Sequence, residues 1–139
     1  MALKVHEIFY SLQGETTTSG FTSVFIRLAG CNLNCIWCDT PQAKSGGIDM
    51  TIDEIMAKVE SLEPFNHITL TGGEPLIQDE AMELLDRLTD NGYEVQVETN
   101  GSVIFDSMPR GVRIIADVKT PSSGEESSFK TENIKFLKK

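Results

Sequence analysis

CNLNCIWC, residues 31–38, holds every cysteine of the chain: Cys31, Cys35 and Cys38, spaced C-x3-C-x2-C. Three thiols so close cannot all turn away from one another, so the loop offers three ligands from one side of a single centre. Three readings compete. A disulfide with one thiol left over conflicts with a chain that shows no secretory signal, because thiols stay reduced in a cytosol. A zinc knuckle needs a closed tetrahedron, and only His6 and His67 are available as a fourth ligand. Each histidine stands beside apolar residues in an expected strand, the setting of a hydrogen-bonded core or edge histidine. An iron–sulfur cluster normally takes four thiolates; three, with no fourth cysteine, leave one iron open to a ligand that is not protein.

Upstream of the loop, residues 22–29 read as a strand, with Val24, Ile26 and Leu28 on one face and Phe25, Arg27 and Ala29 on the other. Residues 3–10 read as an earlier strand. The polar loop between the two, residues 11–20, contains Gln13, Gly14 and Glu15. Downstream, Asp39-Thr40-Pro41 leads to a flexible Ser45-Gly46-Gly47. Thr51 then opens a helix: Glu54 completes a capping box, Met50 and Ile55 form a hydrophobic staple, and Ile52, Ile55, Val59 and Leu62 make an apolar stripe. Residues 67–71 form a strand running into Gly72-Gly73-Glu74-Pro75. Ala81, Leu84, Leu85 and Leu88 mark a second helix, closed by Asn91-Gly92 in the left-handed cap. Further strands are expected at 94–99, before Asn100-Gly101, and at 112–119, before TPSSG, with helical character at 130–137 and a long loop over 120–128.

Strands alternating with helices of about a dozen residues mean βα units and a parallel sheet. CNLNCIWCDT, TGGEP, ETNG and VKTPSSG all follow the carboxyl ends of strands, the edge where parallel βα architectures bind ligands. Four or five strands cannot close a barrel. The expected fold is therefore α/β: a partial, open parallel (β/α) barrel, shortened toward its C-terminus, in one domain over residues 1–139. Its edge is to be covered by the first strand, a partner subunit or residues beyond this chain.

The formal net charge of −9, from 12 Lys+Arg against 21 Asp+Glu, argues against a nucleic-acid backbone as partner. No apolar run reaches membrane-spanning length and MALKVHEIFY lacks signal-peptide organisation, so a soluble, cytoplasmic protein without a membrane partner is expected.

Arg27, on the face away from the helices, points into the barrel, where its planar fork suits an anion such as a carboxylate; an internally paired arginine is the alternative. Gln13 and Glu15 could read a flat heterocycle. Gly72-Gly73 frees backbone groups for close ligand approach. Trp37 is either a core aromatic or a contact to a nucleobase. Asp117 and Lys119 share a face at a strand end, as a surface ion pair or as holders of a ribose or carboxylate.

C-x3-C-x-aromatic-C followed by GGEP on the next strand resembles the radical S-adenosylmethionine (SAM) superfamily. The resemblance implies a 4Fe-4S cluster on Cys31, Cys35 and Cys38, its open iron taking the amino and carboxylate groups of SAM. One electron then releases a 5′-deoxyadenosyl radical. More narrowly, FYSLQGETTTSGFTSVFIRLAGCNLNCIWCDT, TGGEP, ETNG and DVKTPSSG resemble the 7-carboxy-7-deazaguanine synthases of queuosine biosynthesis. These radical SAM lyases contract 6-carboxy-5,6,7,8-tetrahydropterin to 7-carboxy-7-deazaguanine with loss of ammonia, and they use magnesium.

By position, that resemblance implies Leu12, Gln13, Gly14, Arg27 and Thr71 as pterin contacts, with Glu15 and Arg27 the candidate catalytic pair. Thr40 would ligate Mg2+. Ile36, Trp37, Asp39, Gly72, Gly73 and Glu74 would line the SAM site, with Asp117, Val118 and Lys119 a further contact. It also implies a homodimer and a flavodoxin or ferredoxin as reductant. Relatives continue through further βα units, so this chain alone is expected to bind cluster and cofactor but to turn over poorly or not at all. Two other functions share the loop: a glycyl-radical-enzyme activase, which has no use for Arg27, and a small metal-binding or electron-transfer module.

Overall fold

A computed structural model describes residues 1–62 and 64–137. The elements run β1 (Ala2–Leu12), β2 (Thr22–Leu28), β3 (Ile48–Thr51), α1 (Ile52–Glu60), β4 (His67–Gly72), α2 (Ala81–Asp90), β5 (Glu94–Thr99) and β6 (Arg113–Ala116). Short 3-10 turns at Pro41–Lys44, Pro75–Ile77, Pro121–Ser123 and Thr131–Phe136 punctuate the loops. The six strands form one open sheet in the order β3-β1-β2-β4-β5-β6.

The sheet is mixed, a correction to the parallel expectation. β2, β4, β5 and β6 are parallel, while β1 runs antiparallel to β2 and β3 antiparallel to β1. The first strand does cover the β2 edge, and β3, a strand the sequence reading passed over, covers β1. The helical character expected near the end is a 3-10 helix over Thr131–Phe136, and the last strand stops at Ala116, three residues before Lys119.

Two faces divide the labour. Val24, Ile26 and Leu28 of β2, Ile68 and Leu70 of β4, and Val95 and Val97 of β5 are buried against Ile55, Val59, Leu84, Leu85 and Leu88 of the two helices. At about 25 cal/mol per Å² of apolar surface, this layer is the main stabilising term. The other face is largely polar. Phe9, Phe25, Arg27, Thr69, Thr71, Gln96 and Glu98 alternate with the core positions along their strands.

A bulge in β1 sets the phase of this alternation. Val5 pairs with Leu28 and Glu7 with Arg27, so His6 is the extra residue. Before it, Leu3 and Val5 point into the core; after it, Glu7 and Phe9 lie on the polar face beside Arg27 and Phe25.

Helix α1 starts as its sequence dictates. The Thr51 hydroxyl accepts the Glu54 N–H (3.2 Å), and the Glu54 carboxylate accepts the Thr51 N–H (2.7 Å). Helix α2 closes with Gly92 at φ +86°, the conformation glycine adopts without steric cost. Thr51→Ala is expected to lower stability by about 1 kcal/mol in urea unfolding, with α1 amides near its start losing protection first. An effect below about 0.3 kcal/mol would mean that the cap is redundant.

Candidate active site

The cysteine loop lies at the carboxyl end of β2 and is fixed from four sides. The Gly30 N–H donates to the Ala43 carbonyl (2.7 Å), and the Gly30 carbonyl accepts the Glu74 N–H (2.9 Å). Asn32 donates to the Ser102 hydroxyl (2.8 Å), tying the loop to the Asn100-Gly101 turn after β5. The Asn34 N–H donates to Glu125 (2.8 Å) and the Ile36 N–H to the Ser123 carbonyl (3.0 Å), tying it to the loop after β6. The four strand-end loops are thus one assembly.

Gly73 shows how close that assembly is. A Cβ there would overlap the Gly30 carbonyl oxygen and stand 2.6 Å from the Cys31 Cβ, so only glycine fits. A Cβ on Gly72 would meet the Leu28 carbonyl oxygen at 2.5 Å. Glu74 turns the other way: its side chain is wholly buried and accepts from the Leu76 N–H (3.0 Å), the Thr99 hydroxyl (2.8 Å) and the Asn100 N–H (2.7 Å). Burial raises its pKa, against the three donors and Lys119. The carboxylate expected in the SAM site therefore braces β4 to β5 instead.

All three cysteines are free thiols, each half-buried. Burial pushes the Cys31 thiol up, with the charges of Glu74 and Cys35 acting the same way against the Leu33 N–H and Lys44. Among the described residues no three His, Cys, Asp or Glu side chains are gathered as a metal-holding group. Like charges on neighbouring thiolates repel, so such ligands converge on a cation and not before it. The donor set itself, three reduced thiols on a loop of fixed backbone, suits an iron–sulfur centre. His67 does not supply a fourth ligand: it sits at the amino end of β4, beside Glu94 (3.5 Å) and against Phe21.

Around the loop, Lys119 pairs with Asp117 and places its ammonium over the Trp37 ring (5.5 Å). Burial would lower the Lys119 pKa, but the bond to and charge of Asp117, with Cys35 and Asp39 nearby, raise it. Trp37, Ile36 and Val118 are exposed and form an apolar rim. The Thr40 hydroxyl donates to Asp39 (3.2 Å), leaving a hydroxyl and a carboxylate side by side.

Below the rim, Arg27 donates to Glu7 (2.8 Å) and lies 5.9 Å from the Phe9 ring centroid, with Thr71 its neighbour on β4. The internally paired alternative thus describes Arg27 here. Gln13, Gly14 and Glu15 enter from the opposite, amino end of the sheet. Only Gln13 reaches inward: it is buried and donates to Thr69 (3.3 Å) and Glu98 (3.1 Å), two residues short of Thr71 along β4. Its oxygen accepts the Glu15 N–H (3.1 Å), while Leu12 and Glu15 face solvent. The structure therefore collects Ile36, Trp37, Asp39, Thr40, Gly72, Gly73, Asp117, Val118 and Lys119 at the cysteine end, Arg27 and Thr71 on the wall, and Gln13 at the floor.

Sequence reasoning passed over Glu7, Glu98, Asn32, Asn100 and Glu125. Glu98 stands two residues before Asn100-Gly101 on the face of Gln96, a signal open to period-two reading; Glu7 was hidden by the bulge.

Residues 25–123 match the sequence profile of the Radical SAM superfamily. The chain is 48% identical to the 7-carboxy-7-deazaguanine synthase of Methanospirillum hungatei JF-1, covering 97% of this chain and 61% of that protein. It is 43% identical to the 7-carboxy-7-deazaguanine synthase of Koribacter versatilis, covering 97% and 60%. The crystal structure of QueE from Escherichia coli superposes with a TM-score of 0.81 at 27% identity, over 96% of this chain and 68% of that one. The chain spans about 60% of the length of these two curated relatives. With the profile extending from the strand that carries Arg27 to the loop that grips the cysteines, the chain belongs to the radical SAM superfamily.

Proposed function

We propose that this chain carries the catalytic core of a lyase that converts 6-carboxy-5,6,7,8-tetrahydropterin to 7-carboxy-7-deazaguanine with loss of ammonia. The product feeds queuosine formation and hence tRNA modification. The observation that carries the reading is that CNLNCIWC follows the carboxyl end of β2, the strand that sets Arg27 beside Thr71 of β4 on the polar sheet face, with Gln13 at that face's amino end. The names of the relatives support it.

In this reading Cys31, Cys35 and Cys38 would hold a 4Fe-4S cluster. Bound there, the cluster supplies the single electron that cleaves the sulfonium of SAM. The chain's own residues position and shield. Gly72 and Gly73 let the end of β4 pack directly against Leu28, Gly30 and Cys31, so that its backbone stands beside the SAM site, and Ile36, Trp37 and Val118 cover the apolar parts of SAM. The Lys119 ammonium, held by Asp117, answers a carboxylate or ribose. Thr40 gives a hydroxyl to Mg2+, a hard ion that takes its other oxygens from water and substrate. Arg27 receives the pterin carboxylate as a planar fork already aimed by Glu7. Gln13 closes the floor against the heterocycle, with Leu12, Gly14 and Glu15 on the loop's outer side. A flavodoxin or ferredoxin as electron donor, a homodimer, a single domain and a cytoplasmic setting complete the proposal. Among the described residues no helix is long and apolar enough to cross a membrane.

The test is anaerobic incubation of the reconstituted chain with the pterin, SAM, Mg2+ and dithionite, followed by mass analysis of the products. Arg27→Ala is expected to lower kcat/KM for the pterin about 10- to 100-fold, the loss of one charged hydrogen bond, while reductive cleavage of SAM continues. Unchanged pterin turnover in the variant would remove Arg27 from the site. A wild-type chain whose SAM cleavage the pterin neither speeds nor diverts, and which does not bind the pterin, would favour a protein substrate.

A further inference from the structure

The loop after β6 grips the cysteine loop at two points, one in each interval between cysteines. Asn34, between Cys31 and Cys35, donates its N–H to the Glu125 carboxylate (2.8 Å). Ile36, between Cys35 and Cys38, donates its N–H to the Ser123 carbonyl (3.0 Å). Ser123 is fully buried and rigidly held: its hydroxyl donates to the Thr120 carbonyl (2.7 Å) and accepts the Glu125 N–H (3.0 Å). That turn sets the direction of the Glu125 side chain. Asn34 is pinned a second time, its amide oxygen accepting from Lys44 (3.0 Å).

A carboxylate is a costly choice at this place. Cys31, Cys35 and Cys38 become anionic once they take a metal, and another negative charge close by is unfavourable. The bond it makes to a backbone N–H is charge-assisted, roughly twice as strong as a neutral one, and offsets that repulsion. The position thus makes sense if the bond shapes the span that carries the ligands.

We propose that Glu125, seated on the Ser123 turn, is a positioning residue for the metal-binding loop. It fixes the backbone between Cys31 and Cys35 in the form from which the three thiols close on a metal. The inference rests on reading the cysteines as a metal site, and it goes beyond that reading by assigning the loop after β6 a part in it.

The full chain, Glu125→Ala and Glu125→Gln are titrated anaerobically with Co2+, whose thiolate charge-transfer absorption reports sulfur ligation, and amide hydrogen exchange is followed without metal. Glu125→Ala is expected to weaken Co2+ binding about tenfold or more, in the range of lost outer-shell support. The Asn34 amide should exchange at least about tenfold faster while α2 amides keep their protection, a change of 1.4 kcal/mol or more at one site. Glu125→Gln retains an acceptor and removes the charge, so it should stay within about threefold of wild type in both measurements.

Wild-type affinity in the alanine variant, unchanged Asn34 exchange, a glutamine variant as weak as alanine, or a wild-type chain without cobalt–thiolate absorption would each overturn the proposal. Failure of the wild-type chain to take up iron and sulfide, with the cobalt and exchange results intact, would instead sink the radical chemistry and leave the positioning role standing.

Discussion

Glu74→Ala is expected to lower the unfolding free energy by about 4 kcal/mol. The wild-type carboxyl is fully buried and collects the Leu76 N–H, the Thr99 hydroxyl and the Asn100 N–H on its two oxygens. Alanine strands three buried donors, each at a cost of about 1–3 kcal/mol with incomplete additivity, and leaves a cavity between the β4 and β5 loops. Urea unfolding of the two proteins checks this, and a difference below about 1 kcal/mol would show that the loops reclose without the brace. Glu74→Gln should fall between, because its NH2 must face one of the donors.

The effect has a defined pH dependence. Burial raises the Glu74 pKa in the folded chain. Stability from a group shifted in that direction is fully present below the unfolded carboxyl value of about 4.3, and is lost as pH rises through the raised folded value. The gap between wild type and Glu74→Ala should therefore be widest at the acid end and narrow as pH rises through the raised value. A gap that widens with pH would mean that the three donors outweigh desolvation.

Gly73→Ala is the second large effect, and it acts on the site. The added methyl would press on the Gly30 carbonyl oxygen and lie 2.6 Å from the Cys31 Cβ. Neither can retreat freely: Gly30 is held by the Ala43 carbonyl on one side and the Glu74 N–H on the other. About 3 kcal/mol of stability should be lost through overpacking. The displaced Cys31 should weaken metal capture by at least about tenfold, read by the same cobalt titration. Gly92→Ala separates backbone strain from sterics: Gly92 has a left-handed φ, which Gly73 lacks, and nothing within 4 Å, so it should cost about 1 kcal/mol with metal capture intact. Equal losses in the two variants would mean that the crowding at Gly73 is relieved elsewhere.

Much of this arrangement was legible because its signals are local. The Thr51–Glu54 box, the Ile52/Ile55/Val59 stripe and the Leu84/Leu85/Leu88 face need only neighbouring residues, and each lies where its period puts it. The loops at the carboxyl ends of β2, β4 and β5 followed from strand-then-glycine order. What escaped depends on distant partners. β3 is four residues long and mostly exposed, so it has no alternation to read, and its pairing to β1 spans more than forty positions. The direction of β1 rests on the loop at 13–21 folding back on itself through Gln13 and Phe21, a bond no composition reveals. The partner of Arg27 was hidden for a related reason: counting by twos along β1 from Val5 puts Glu7 on the core face, and only the bulge at His6 moves it.

That bulge lets one strand obey two rules. Its first half is cut to the grammar of an oily layer, with Leu3 and Val5 inward, and its second half to that of a wet wall, with Glu7 and Phe9 turned toward the polar face. A single surplus amide acts as the gear between them. Leu3 and Val5 are thereby matched to the helix layer, and Glu7 and Phe9 to the polar wall, neither pair dragging the other out of step.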